Sequence, residues 1–399
     1  MFSRTKITQT DRVYIWTFII TLVVFIYYTF KSYYIGELSR YLGIEFTDSS
    51  EGIKSYSRLV LTITSLLFFY RKNSIKHLSF MGKTLLVFSL YILSSIILQK
   101  NFTNPMYYIS TYTMSSVWIY SYVFFYTIRL RYNIDRFIPK FIIVFTIISA
   151  ILFIHNYLMN NAIGHTDWHY IESYFLITLL PALILLNNKY KYPLILLVII
   201  CAIISGKRSG FITCATSIAL YMMMTGRNLS NRIQKILYGT VLVFLLYFIL
   251  NQFIGDQIYF LMERIANTQE DDGSGRGEVY ANLYNLIINN QDIISLFFGN
   301  GYNEVINSQI SNGFSAHNEF LEVTYDFGIL GFLIFLTIFV AIYRLYAKTK
   351  VKKQRVALFI SFVIFLIFSL TSHTILYTTN IVFLCMIWGY FDAKSITRK

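Results

Sequence analysis

Three short polar segments interrupt the apolar second half of the sequence, and each carries a residue that can do chemistry. The first contains adjacent Lys207 and Arg208, the second contains Arg276 between two glycines, and the third contains His317. A guanidinium group can hold a phosphate through paired hydrogen bonds, and an imidazole can accept a proton near neutral pH. These residue types therefore favour anion binding and proton transfer.

The basic turn that contains Lys207 and Arg208 joins two apolar stretches. The helical arms from Lys191 to Arg208 and from Arg208 to Arg227 would each reach about 25–28 Å, which places Arg208 at or just below a headgroup boundary. Small neighbours, and a helix expected to begin at Gly210, would suit an anion such as a lipid phosphate. The alternative is a snorkelling interfacial pair. We favour the anion site because charges inside a membrane are costly.

The other two segments are weaker when each is taken alone. The glycines beside Arg276 would let backbone N–H groups approach an anion, whereas the alternative is a solvated loop arginine. Ser315 is expected to cap the helix that follows and to put His317 in its first turn. For His317 the alternative is a structural hydrogen bond.

The other polar groups are less informative about function. No motif surrounds the remaining histidines of the predicted outer face, His155, His165, His169 and His373. A zinc site at His165 and His169 would lack a third ligand, and the run Glu270–Asp272 is better explained as a solvated acidic stretch than as a cation site. We therefore expect no metal site.

Composition places these segments in a membrane protein. Of 399 residues, 56% are hydrophobic and only 14% are charged, so lipid must be the main solvent. The apolar stretch from Arg12 to Lys31 lacks a small-residue cleavage site and is expected to stay as an anchored helix. The three cysteines, Cys201, Cys214 and Cys385, fall in apolar stretches and are expected to be buried packing residues.

Hydropathy predicts an all-α integral membrane protein with about twelve transmembrane helices, forming a single polytopic membrane domain over residues 1–399. With both termini in the cytoplasm, most of the 34 basic residues lie inside and most of the 20 acidic residues lie outside. The positive-inside rule explains this distribution, so the net charge of +14 needs no nucleic-acid partner. The predicted spans are Val13–Phe30, Leu59–Tyr70, Thr84–Leu98, Tyr107–Ile128, Phe141–Tyr157, Tyr174–Leu186, Pro193–Ile204, Phe211–Thr225, Ile236–Ile254, Phe327–Leu345, Val356–Leu370 and Ile375–Phe391.

The long connection between the ninth and tenth spans, residues 255–316, is predicted to lie outside. Thr268–Gly277 is expected to be a flexible polar stretch, and Phe297–Tyr302 a turn packed against the spans. Between them, apolar residues near helical spacing predict a helix at the membrane surface. These apolar residues are Val279, Leu283, Leu286, Ile287 and Ile294.

Together, three segments resemble the bacterial O-antigen polymerase and O-antigen ligase family, whose members are membrane glycosyltransferases. The segments are Ser205-Gly-Lys-Arg-Ser-Gly210, the loop from Gly275-Arg-Gly277 to Phe298-Gly-Asn-Gly-Tyr302, and the motif from Ala316-His-Asn-Glu to Gly328-Ile-Leu-Gly331. A tryptophan often follows the loop arginine in such proteins, and here Tyr280 is the nearest aromatic residue.

The resemblance implies a GT-C-like fold and metal-independent transfer, without a cofactor, of a glycan from undecaprenyl diphosphate. Arg208 and Arg276 would hold the diphosphate with help from Lys207, and His317 would take the proton of the acceptor hydroxyl. It also implies an address in the bacterial cytoplasmic membrane, an active site facing outward, and a flippase and a chain-length regulator as partners. Further expected substrate contacts are Tyr302, Glu278, Asn318 and Glu319, with Glu278 and Glu319 as substitute bases.

Four functions remain open at this point. A polymerase of O-antigen or capsule would move the growing glycan onto a new lipid-linked repeat unit, whereas a ligase would pass it to a lipid core or a protein. A lipid-linked glycan flippase or other transporter would also suit twelve spans, and a structural or assembly subunit is a further alternative. Charges gathered at one boundary, without paired repeats, favour an enzyme over a transporter.

Overall fold

The structure, a computed structural model, contains helices and no strands in the residues it describes. These residues are 7–42, 50–98, 105–162, 172–187, 189–226, 272–290, 292–307, 315–372 and 378–397, together with Tyr170 and scattered positions between 228 and 266. The predicted ninth span, Ile236–Ile254, lies largely outside them, as do His165, His169, His373 and most of the Glu270–Asp272 run.

The helices of the first half are α1 (Gln9–Leu42), α2 (Ser50–Arg71), α3 (Phe80–Leu98), α4 (Pro105–Arg131), α5 (Phe137–Ala162), α6 (Ser173–Leu185), α7 (Lys191–Ile204) and α8 (Arg208–Thr225). Those of the second half are α9 (Asp272–Asn285), α10 (Ile293–Phe298), α11 (Glu304–Asn307), α12 (Glu319–Lys348), α13 (Lys352–Thr371) and α14 (Val382–Thr397). A π-helical turn, Leu286–Asn290, follows α9, and short 3-10 helices occupy Ser74–His77 and Thr378–Ile381.

Five of these helices, α1, α3, α5, α12 and α13, are long and apolar enough to cross a membrane, counted over the described part of the chain. Helices α6 and α7 are apolar but shorter. Large apolar side chains such as Val13, Trp16 and Ile20 remain exposed on α1, as expected for a surface that faces lipid. An all-helical membrane protein is thus supported, while the count of twelve spans and the GT-C-like arrangement stay predictions.

Helix α4 lies at the centre of the bundle. Residues 115–130 are all buried, and α4 packs against α2, α3 and α14. Hydroxyls in this buried part are satisfied within the helix, for example those of Ser121 and Thr127, which donate to carbonyls one turn back. Phe124 stacks on Phe18 of α1 with ring centroids 3.9 Å apart. The three cysteines are buried, as expected.

Helices α9 and α10 and the π-helical turn Leu286–Asn290 occupy the region where apolar spacing predicted a helix, which confirms its helical character, while its position at the membrane surface stays a prediction. Leu283 and Ile287 are buried in a small separate core, whereas Ile294 is 73% exposed. The expected flexible stretch is wrong for its second half, because α9 already begins at Asp272. Packing of the α9 face outweighs the low helix propensity of its glycines.

The predicted turn at Phe297–Tyr302 does pack against a membrane helix. Helix α12 bends at Gly328, where φ is 66°, and the turn lies against this bend. A Cβ atom at Gly299 would come within 2.1 Å of the Asp326 carbonyl oxygen, and one at Gly328 within 2.5 Å of the Gly299 nitrogen. Two glycines therefore allow the two backbones to touch. We call this contact the glycine joint.

Hydrogen bonds stabilise the glycine joint. The fully buried Asp326 carboxylate accepts the backbone N–H groups of Asn303 at 2.8 Å and Val305 at 3.2 Å. The Gly301 N–H donates to the Asp326 carbonyl at 3.0 Å. On the other side, the Tyr91 hydroxyl of α3 donates to the Phe327 carbonyl at 2.9 Å. Hydrogen bonds at the glycine joint thus connect the loop to α12, and α12 to α3.

We expect Gly299→Ala to destabilise the protein by about 2 kcal/mol or more, because the new methyl group clashes with backbone and φ of 87° disfavours any side chain. The measurement is the thermal midpoint of the detergent-purified protein. Gly36→Ala is the matched control, since a Cβ there meets open space on α1. Equal midpoints for the two variants would contradict the joint.

Candidate functional site

The basic turn stands at the start of α8. Gly206 has φ of 61°, Lys207 is extended at the N-cap position, and the helix begins at Arg208. The helix was expected to begin at Gly210, so it starts two residues early. Arg208 therefore lies in the first turn of an 18-residue helix, where free N–H groups and the helix dipole attract anions.

Contacts place this turn against the C-terminal part of α13. The Ser209 hydroxyl lies 2.5 Å from the Tyr174 hydroxyl of α6. The Tyr174 ring packs on Phe368 of α13, with centroids 4.7 Å apart. Gly210 leaves room for the same tyrosine, because a Cβ there would come within 3.1 Å of the Tyr174 ring. The start of α8 is thus held beside the last turns of α13.

Arg276 reaches the same end of α13. Its Nη1 atom donates a hydrogen bond to the carbonyl of Thr371, the last residue of that helix, at 3.2 Å. Thr371 follows Phe368 by less than one helical turn. The segments that carry Arg208 and Arg276 therefore border one end of one helix, although they are far apart in sequence.

Tyr280 connects Arg276 to the segment that contains His317. Burial raises the pKa of the Tyr280 phenol, whereas the charge of Arg276 and side-chain hydrogen bonds with Asn318 and Arg276 lower it. The charge of Glu322 raises it again. The net shift is upward, so the phenol stays neutral and available as a donor at physiological pH. Tyr280 was not among the predicted site residues. Its position one helical turn after Arg276 could have suggested that the two side chains lie close together.

His317 precedes α12 and is not in its first turn. The N-cap is Asn318, whose side chain accepts the N–H groups of Phe320 at 3.0 Å and Leu321 at 3.3 Å. The prediction that Ser315 caps this helix is therefore wrong. Instead, the Ser315 hydroxyl accepts the His317 N–H at 3.2 Å. The cap lies three residues later because the chain must first turn through His317.

The backbone at His317 is unusual. Its φ is 52°, in the left-handed region that few non-glycine residues occupy, and its side chain is half-buried. Such conformations persist only where the surroundings hold them, and they cluster at functional sites. Here the preceding residue is held by Glu322, whose Oε1 atom accepts the Ala316 N–H at 2.5 Å.

Three carboxylates line the buried side of the first turns of α12. Glu319 is 0% exposed, and Glu322 and Asp326 are also buried. Glu319 was expected to contact substrate or to substitute as a base; its side chain is enclosed in the structure, and that role stays a prediction. Sequence reasoning missed the positioning role of Glu322 and Asp326. The sequence could have suggested this role, because Glu319, Glu322 and Asp326 are spaced three and four residues apart at the start of an apolar helix.

The remaining predicted residues are more dispersed. Glu278 is exposed on α9. Tyr302 is 3% exposed and packs against Phe327, with ring centroids 6.2 Å apart. Within the described parts of the chain, no group of three His, Cys, Asp or Glu residues could hold a metal ion. The expected metal independence stays a prediction.

Comparison with known families bears on this region. Residues 193–336 match the family described as O-antigen ligase. The match confirms the resemblance of the three polar segments, since all of them lie inside it. Comparison of the chain with curated proteins finds no match. The O-antigen ligase region spans α7 to the middle of α12 and points to a membrane enzyme of O-antigen ligase or polymerase type, with glycosyltransferase-like activity.

The structure thus gathers the polar parts of the O-antigen ligase region around two helix ends. Tyr280 joins Arg276 to Asn318, beside His317, and the end of α13 joins Arg276 to the start of α8. Glu278 and Tyr302 do not take part in these contacts. Each link is a side-chain contact between elements that are distant in sequence.

Because Asn318 is the N-cap of α12, we expect it to have a structural role, whereas the sequence suggested that it contacts substrate. We expect Asn318→Ala to destabilise the protein by about 1 kcal/mol and to reduce activity, because α12 loses its cap. Asn318→Asp and Asn318→Ser can also cap, so they should restore thermal stability and most of the activity. Thermal midpoint and glycan transfer by purified protein are the measurements. Stability restored without activity would show a direct substrate contact instead.

Proposed function

We propose that the protein is a glycosyltransferase that takes a growing glycan from a polyprenyl diphosphate and joins it to a new lipid-linked repeat unit. The observation that carries this proposal is the O-antigen ligase match over residues that include Lys207, both arginines and the histidine. The contacts that bring these segments to the ends of α12 and α13 support it.

The proposed step is a displacement at the anomeric carbon. The acceptor hydroxyl oxygen forms a bond to this carbon while the bond from the carbon to the diphosphate oxygen breaks with inversion. His317 takes the hydroxyl proton, and the lipid diphosphate leaves with the bonding electron pair. Arg208 and Arg276, assisted by Lys207, stabilise the negative charge that grows on the leaving oxygen.

The left-handed backbone of His317 supports its role as the base. With the Ala316 N–H held by Glu322 and the next helix capped by Asn318, the imidazole is presented from a rigid turn. A group that must remove a proton during bond formation works best when its position is set in advance. We place this site on the outer side of the bacterial cytoplasmic membrane, where the glycan would extend into water.

A ligase is the second candidate, because the matched family carries that description. It would use the same donor and residues but a different acceptor. The glycan profile of a deletion strain separates the two: loss of a polymerase leaves single repeat units on the final acceptor, whereas loss of a ligase leaves lipid-linked chains and a bare acceptor. An unchanged glycan profile, or purified protein that moves lipid-linked glycan across vesicles without bond formation, would contradict the proposal.

We expect His317→Ala and Arg208→Ala each to abolish chain extension, because one removes the base and the other removes the cation at the leaving group. Protein abundance in the membrane should stay near normal. The measurements are glycan length in a complemented deletion strain and the level of the membrane protein. His155→Ala and Arg344→Ala are matched controls, since both side chains are exposed elsewhere on the helices. Full activity in either site variant would reject its assigned role.

Arg208→Lys should also impair chain extension, although it keeps the positive charge. A lysine ammonium cannot make the paired, planar hydrogen bonds that a guanidinium makes to phosphate oxygens. The same complementation assay measures this effect. Activity equal to that of the unaltered protein would mean that Arg208 acts only through its charge.

A further inference from the structure

A group of lysines lies at the end of the bundle opposite the candidate site. Helix α13 ends at Thr371, whose carbonyl receives Arg276. Lys353 is the second residue of the same helix and lies roughly 27 Å away along it. Its Nζ atom donates to the carbonyl of Leu186, the residue after α6, at 3.0 Å, and also to the Asn187 side chain. These bonds hold the start of α13 against the connection between α6 and α7.

The fold brings a second lysine close to Lys353. Lys191 is the first residue of α7 and is 7% exposed. Its Nζ atom donates to the Tyr221 hydroxyl of α8 at 2.6 Å. Lys191 and Lys353 lie within electrostatic range, so two like charges from different helices oppose each other. Their sequence neighbours Lys189 and Lys352 are exposed. We call these four residues the lysine cluster.

The lysine cluster lies at the N-termini of two helices, where positive charge is unfavourable. A helix N-terminus carries partial positive charge and free N–H groups, and acidic residues or capping side chains usually compensate for both. The first turns of α7 and α13 contain lysine and no acidic residue. The N-cap positions hold Tyr190 and Val351, whose side chains are not of the types that cap helices. Both helix starts therefore favour an external anion.

Carboxylates are scarce at this end of the bundle. Residues 173–255 and 327–391, which include α6, α7, α8 and α13, contain no Asp or Glu. Among the described residues, the carboxylates at this end are engaged by other groups. They are Asp11, which pairs with Lys72 at 2.7 Å, Asp135, which pairs with Lys394 at 3.6 Å, and Asp392, which accepts the Tyr122 hydroxyl at 2.6 Å.

The remaining acidic residues are predicted to lie on the outer face, with the candidate site. Those outside the described residues belong to the end of α1, the α1–α2 and α5–α6 connections and the segment before α9. The described helix ends that flank these segments are on the side of the candidate site, where α6 begins and α9 reaches Thr371. Asp256 follows the predicted ninth span and is expected on that side too. The lysine cluster is therefore expected to keep its positive charge.

Exposed tyrosines place the lysine cluster at the level of lipid headgroups. Tyr190 is 49% exposed and Tyr192 is 69% exposed. The ammonium groups of Lys189 and Lys191 lie 5.4 and 5.5 Å from the centroids of these two rings, respectively. Tyrosine is enriched where a membrane meets water, because its ring prefers lipid and its hydroxyl prefers water. A lipid headgroup is thus the anion that this position favours.

We propose that the lysine cluster binds the phosphate of an anionic phospholipid at the membrane face opposite the candidate active site. The exposed Lys189 and Lys352 and the half-buried Lys353 contact the headgroup, while Lys191 adds positive charge from behind. Basic pockets between membrane helices recognise headgroups in this way. The bound lipid offsets the repulsion within the cluster and joins α7 to α13. At their other ends these helices lead into the basic turn and receive Arg276.

Native mass spectrometry of the full-length protein in detergent tests this site with dioleoylphosphatidylglycerol. We expect one tightly bound phosphatidylglycerol that dioleoylphosphatidylcholine does not replace. Lys353→Gln should weaken the binding by about fivefold or more, because one attraction to the headgroup is lost. Lys76→Gln is the matched control, since it removes an exposed lysine at the same end of the bundle but outside the cluster. An equal loss in both variants, or equal binding of the two lipids, would overturn the proposal.

A further variant separates lipid binding from a role in folding. Lys353→Gln also removes the bond to Leu186 and is expected to lower the thermal midpoint by itself. Combined Lys189→Gln and Lys352→Gln removes two exposed charges, so it should weaken phosphatidylglycerol binding with little change in the midpoint of the lipid-free protein. If this double variant binds phosphatidylglycerol as the unaltered protein does, Lys353 is structural and the proposal fails.

Two competition experiments identify the source of the anion. Glycerol phosphate carries the same phosphate without acyl chains, and we expect that an equal concentration of it does not displace phosphatidylglycerol. Displacement would show a site for a soluble phosphate and would overturn the lipid assignment. Preferential binding of poly-L-glutamate over phosphatidylglycerol would indicate an acidic protein partner and would overturn it as well.

Discussion

The arrangement of the polar region depends on the glycine joint, the backbone contact between Gly299 and Gly328. No side chain larger than hydrogen fits at either position, and the buried Asp326 carboxylate adds hydrogen bonds to the loop that no solvent could supply. The bend it stabilises turns the first residues of α12 away from the long apolar part of the helix. As a result, the segment with His317 meets α9 instead of continuing along the bundle.

Helix ends then bring the cations together. The last turns of α13 receive Tyr174, which contacts the start of α8, and its final carbonyl receives Arg276. A helix end offers free polar groups at a fixed place, and at the edge of a membrane it is also where a lipid diphosphate would lie. Tyr280 extends this set of contacts from Arg276 to Asn318, so the segments that carry Arg208, Arg276 and His317 all border the ends of α12 and α13.

The first half of the chain supplies the packing at the centre of the bundle. Helix α4 is buried on all sides over residues 115–130 and holds α2, α3 and α14 around it. On α2, Arg58 is buried, and its Nη2 atom donates to the Ser55 hydroxyl at 2.7 Å.

Composition and hydropathy were sufficient to predict a helical membrane protein, and three short motifs were sufficient to find the resemblance that the family match over residues 193–336 confirms, because both signals are local. The helical loop and the packed turn at Phe297–Tyr302 followed from spacing for the same reason. Sequence did not predict that Asn318 caps α12, that Glu319 is enclosed, or that Tyr280 links Arg276 to Asn318. Those outcomes depend on which helix ends meet, and only the tertiary structure decided them, through contacts between residues far apart in the chain.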